Sequence, residues 1–80
     1  MTEPLPSEAT ATDDPLGRVS PREIQVLEMT SQGLTNDEIA RRLYVTTHAV
    51  KFHLASIYRK LGVANRTEAA VVYLRSTGLS

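Results

Sequence analysis

The chain has no cysteine, which excludes a disulfide framework, a thiolate metal site and a thiol nucleophile. It has no tryptophan, one phenylalanine and three tyrosines, so its core must be built mainly from aliphatic side chains. No apolar run approaches the roughly 18 residues of a membrane span, and no charged, apolar, small-residue leader resembles a secretory signal. A soluble, cytoplasmic protein without a membrane partner is expected. Length adds a further bound: 80 residues, 41% of them hydrophobic, can form one small domain but not the buried cleft of an enzyme. No Ser–His–Asp order, paired buried carboxylates, Gly-rich phosphate loop or metal-ligand cluster is evident in the sequence. His48 and His53 do not share a helical face, and no cysteine or acid completes a metal set with them. The expectation is a protein that is not an enzyme and has no cofactor.

Net charge is also missing, at a formal zero, but it divides unevenly along the chain. Residues 1–17 carry Glu3, Glu8, Asp13 and Asp14 with no lysine or arginine, whereas residues 18–80 carry nine basic and five acidic groups. From Ile39 onward seven basic residues stand against Glu68 alone. A basic half of this kind is what phosphate binding requires. The acidic segment holds Pro4, Pro6 and Pro15 among Ser, Thr and Ala, with no periodic apolar face. Residues 1–18 are therefore expected to be a disordered tail or linker, and residues 19–80 a domain.

Capping signals divide that domain into helices. Ser20, Pro21 and Glu23 start one that runs to about Ser31 and stops at Gly33, with Ile24, Val26 and Leu27 as its core face. Thr35 and Glu38 form a capping box for a short helix from Asn36, whose apolar positions are Ile39, Ala40 and Leu43. Thr46 or Thr47 caps a longer helix ending at Gly62, in which Val50, Leu54, Ile57 and Leu61 form a buried stripe. Asn65 caps a last helix from Arg66 to about Ser76.

The stretch Thr35–Val63 thus reads as two helices joined by a tight turn, the second of them basic. Such an arrangement suits duplex DNA. Opposite the buried stripe of the longer helix, His48, Lys51, Phe52, Ala55, Ser56 and Arg59 are expected to face outward, with Lys60 extending the basic surface. Such a face combines donors for phosphates, groups that can reach base edges, and small residues for close approach. Phe52 there is either a stray exposed apolar residue or a contact for a thymine methyl. His53 borders the stripe and is expected to be a packed, hydrogen-bonded core histidine. In the last helix Ala69, Ala70, Val71, Val72 and Leu74 make nearly every face apolar, more than one packing stripe requires. Either both faces pack within the domain, or Val71, Val72 and Leu74 meet a second copy.

Several blocks in order carry a specific resemblance: Ser20-Pro21-Arg22-Glu23-Ile24, Thr35-Asn36-Asp37-Glu38-Ile39-Ala40, Ala49-Val50-Lys51-Phe52-His53, Lys60-Leu61-Gly62-Val63 and Asn65-Arg66-Thr67-Glu68-Ala69. Together they resemble the LuxR-type (GerE-like) DNA-binding domain of bacterial transcription regulators, from about Val19 to Gly78. The resemblance implies an all-α, four-helix bundle containing a helix-turn-helix, with a recognition helix at about 47–61. It implies sequence-specific binding of double-stranded DNA and transcription regulation, as in a response regulator output domain. A homodimer on inverted-repeat sites through the helix at 66–76, and RNA polymerase as a further partner, follow from the same likeness. Lys51 takes the family's base- or phosphate-contacting position and Phe52 the neighbouring groove-facing one. Thr35, Asn36, Thr46 and Thr47 stand where backbone contacts are made at helix starts. The sequence departs from the family at Ala49, often threonine, and at Ala55, often polar or basic; Tyr44 departs only from the wider helix-turn-helix pattern, which prefers glycine, since an aromatic there is common in the LuxR-type group. Two other readings fit less of the chain: a sigma-factor-like promoter-reading domain, and a protein-interaction module that has lost DNA binding.

Overall fold

The computed structural model describes residues 15–78. Within them lie a short 3-10 turn, Pro15–Arg18, and four α-helices: α1 (Pro21–Ser31), α2 (Asn36–Leu43), α3 (Thr47–Leu61) and α4 (Arg66–Thr77). No strand occurs among the described residues. The all-α, four-helix architecture expected from the sequence is the one observed.

Each helix starts where a side chain can satisfy its first free N–H groups. Ser20 and Glu23 form a reciprocal capping box on α1, as do Thr35 and Glu38 on α2. Thr46 Oγ1 accepts from the Ala49 N–H at 3.0 Å on α3. On α4, Asn65 Oδ1 accepts from the Glu68 N–H at 2.9 Å, while Glu68 Oε1 accepts from the Ala64 N–H.

The ends of the first three helices close alike. The N–H groups of Leu34, Val45 and Val63 return to the carbonyls of Met29, Ala40 and Tyr58. The three side chains then pack against the core, as helix-terminating hydrophobic residues do. The closure needs a left-handed residue, supplied by Gly33 (φ 91°) and Gly62 (φ 70°) but by Tyr44 (φ 58°) between α2 and α3.

Val26, Leu27, Ile39, Val50, Ile57 and Ala69 are fully buried, with Ala40, Leu54 and Tyr73 nearly so. Ala40 of α2 and Val50 of α3 both belong to this core. Val26 lies deeper than Ile24, which is half-buried. The packed fold also begins upstream of the boundary expected after residue 18. Leu16, in the 3-10 turn, packs on the core, and the Val19 N–H donates to its carbonyl at 3.1 Å. The acidic segment before residue 15 lies outside the described residues.

Candidate nucleic-acid interface

The outward face of α3 is set by helical geometry. Successive residues turn by about 100°, so positions 48, 51, 52, 55 and 59 fall on one side, opposite Val50, Leu54 and Ile57. His48, Lys51, Phe52, Ala55 and Arg59 are all exposed, and Phe52 keeps 71% of its surface in solvent. This is the face expected from the sequence, with one cation near its start, one near its end, and an apolar centre.

Lys60 and Ser56 depart from that expectation. Both lie on the back of α3, where Glu23 of α1 receives them: Ser56 Oγ donates to Glu23 Oε2 at 2.7 Å and Lys60 Nζ to Glu23 Oε1 at 2.8 Å. Lys60 follows Arg59 by a single residue, and the turn of about 100° between them is enough to point it away from the outward face. Glu23 is only 6% exposed, and its Oε1 also accepts from the Ser20 N–H. Burial alone would raise its pKa. The bonds from Lys60, Ser20 and Ser56 outweigh burial and hold the carboxyl at about 2.

The approach to the face is built from helix starts. Thr47 Oγ1 donates to Asp37 Oδ1 at 2.8 Å, pinning the start of α3 to the first turn of α2. Arg66, the first residue of α4, donates to the Leu34 carbonyl and, at 3.2 Å, to Asn36 Oδ1. It therefore supports the loop, and it holds Asn36, a residue expected to contact a nucleic-acid backbone. Gly33 to Asp37, Thr47, Lys51 and Arg66 line an open concavity beside the outward face. Thr35 and Thr46 stay exposed at the edges of the helix starts, their hydroxyls engaged as caps. Glu38 caps α2 in return, and the N–H bond from Thr35 holds its carboxyl below the ordinary carboxylate range.

Two further expectations change. His53 is half-buried rather than a core histidine, and its ring meets Phe52 edge-on with centroids 6.4 Å apart. On α4, Val71 is 41% exposed and Val72 half-buried, but Leu74 packs against the domain's own core. The surplus apolar surface of α4 is thus smaller than the sequence suggests. What sequence reasoning missed is the second role of Glu23, whose position accounts only for the cap of α1. Its partners lie 33 and 37 residues away, beyond the reach of any local motif.

Among the described residues no group of His, Asp or Glu could hold a metal ion, and no helix is long and apolar enough to cross a membrane.

A short helix, a tight left-handed turn, and a longer helix with a solvated, cation-bearing face define a helix-turn-helix DNA-binding domain. Residues 18–73 match the family described as "Bacterial regulatory proteins, luxR family". The chain belongs to that family. It is 37% identical over 68 residues to the nitrate/nitrite response regulator protein NarP of Escherichia coli, covering 85% of this chain and 32% of NarP. It is 48% identical over 54 residues to the transcriptional regulatory protein LnrK of Bacillus subtilis, covering 68% of this chain and 24% of LnrK. With the transcriptional regulatory protein ComA of the same organism it shares 37% identity over 71 residues, 89% of this chain and 31% of ComA. The chain thus spans about a third or less of the length of these relatives. No solved structure matches it.

Proposed function

We propose that the chain regulates transcription by laying α3 in the major groove of a specific DNA site. The observation that carries this reading is the outward face of α3. Lys51 and Arg59 are exposed and enter no salt bridge among the described residues, and the remaining exposed positions of that face are His48, Phe52 and Ala55. Lys51 sits where that face joins the concavity between the starts of α2 and α3, placed to meet a phosphate or a base edge. The starts of both helices, at Thr35–Asn36 and Thr46–Thr47, flank the groove and grip the backbone on either side. In this reading Lys60 supports the fold and makes no DNA contact. The protein acts in the cytoplasm, without catalysis of its own, and RNA polymerase is the partner through which binding changes transcription.

Pairing on DNA goes through the exposed side of α4, centred on Val71 and Val72, with Leu74 at its inner edge. The patch is small, so pairing is weak in free solution and gains from two adjacent half-sites. Val72→Glu then lowers affinity for paired half-sites more than for a single half-site, measured by band shift on the two probes. Equal losses on both would count against pairing through α4.

Titrating salt against binding to random duplex DNA, with amide-shift mapping at low salt, tests the docking itself. A steep fall of affinity with salt, and shifts gathered on 47–59, is the expected result. No binding at low salt would overturn it.

A further inference from the structure

We infer that Phe52 and Ala55 form a site for the 5-methyl group of pyrimidines, so that the domain reads thymine by its methyl and accepts 5-methylcytosine as its equivalent. This inference rests on the docking of α3 proposed above and names what that face takes.

Phe52 is one of the few large apolar residues among those described that the fold leaves in water, at 71% exposure. Its ring gains little burial from folding, and among the described residues its one ring neighbour is the half-buried His53, edge-on beside it. Ala55 follows one helical turn on and is exposed as well, so no polar side chain interrupts the apolar patch. Lys51 and Arg59 bracket that patch along the same face. An apolar centre between two cations matches one kind of major-groove surface: a pyrimidine methyl, which stands out from the base-pair edge, with phosphates or purine acceptors on either side. Phe52 and Ala55 can offer no hydrogen bond from their side chains, so at their base pair discrimination comes from the methyl group and not from the amino or keto group next to it. Cytosine carries a hydrogen at that carbon and leaves the patch uncovered. 5-Methylcytosine restores the contact, which makes binding responsive to DNA methylation wherever a cytosine falls under Phe52.

The test begins with selection of duplexes from a random-sequence library by the full chain. The selected duplex is then resynthesised with deoxyuridine replacing one thymine at a time. At the thymine under Phe52, and there with cytosine and 5-methylcytosine in turn, affinity is measured at fixed salt. The expected result is a loss of about three- to fivefold on removing the methyl at one or two adjacent positions per half-site, the value of one buried methyl. 5-Methylcytosine should outbind cytosine there by a similar factor, and Phe52→Ala should erase both differences. Indifference of the wild-type chain to every thymine methyl in an enriched site would overturn the inference while leaving groove docking intact. A methyl effect that survives in Phe52→Ala would overturn the assignment to Phe52. Failure to enrich any duplex would overturn the docking of α3, and this inference with it.

Discussion

The front and the back of α3 carry similar residues and use them in opposite ways. On the front, Lys51 and Arg59 are exposed and enter no salt bridge among the described residues. On the back, Lys60 is spent on Glu23, together with Ser56, in a network that ties the longest helix to α1. A basic residue on a recognition helix is therefore not by itself a DNA contact. Its angular position decides whether it faces solvent or supports the fold, and one residue of sequence separates exposed Arg59 from paired Lys60.

Breaking the back is the largest perturbation. Glu23→Ala removes the acceptor of the Ser20 N–H and leaves Lys60 and Ser56 without their partner. It should destabilise the domain by about 2–3 kcal/mol in thermal or urea unfolding, near the lower end for losing one member of a buried pair. Acid applies the same break without mutation. Because the folded carboxyl titrates at about 2 rather than its ordinary 4.5, its stabilisation is complete above pH 4.5 and is lost as pH falls toward 2. Discounted for the partial exposure of Lys60, that loss is about 2 kcal/mol. It should be absent from the acid limb of Glu23→Ala.

Two lysines sharpen the contrast. Lys51→Ala should weaken duplex binding about tenfold at low salt and lower the salt slope by about 1, with stability unchanged within about 0.5 kcal/mol. Lys60→Ala should do the reverse, costing about 1–2 kcal/mol of stability and leaving the salt slope unaltered. Matching salt slopes for the two variants would refute the division of α3 into a reading side and a supporting side.

The smallest effect lies at the turn between α2 and α3. Tyr44 is held left-handed while 95% of its surface is in solvent, so it bears the cost of that conformation without packing in return. Tyr44→Gly should raise stability by up to about 1 kcal/mol in thermal unfolding, and a destabilised variant would show that the ring contributes to the fold after all.

Most of the fold was legible because its boundaries are written locally. Ser20 with Glu23, Thr35 with Glu38, Thr46 and Asn65 each cap a helix within three residues of themselves, and Gly33, Gly62 and Gly78 stop three of them with positive φ. The outward face of α3 was legible for the same reason, since helical periodicity alone sets His48, Lys51, Phe52, Ala55 and Arg59 together. Lys60 was misplaced because charge was read along the chain rather than around the helix. The turn at Pro15–Arg18 was missed because four residues offer no period to detect. Leu74 escaped because a helix that is apolar nearly all round does not say which of its sides meets the core.

Arg66 gives the domain a mechanical property. It begins the last helix yet grips the loop before α2 through Leu34 and the first residue of α2 through Asn36. One guanidinium therefore ties the start of α4 to the entrance of the helix-turn-helix, beside the packing of Ala69 and Tyr73 in the core. Cutting that tie should free Asn36 and the loop at Leu34 to move against α4, while Ala69 and Tyr73 keep the helix packed in the core.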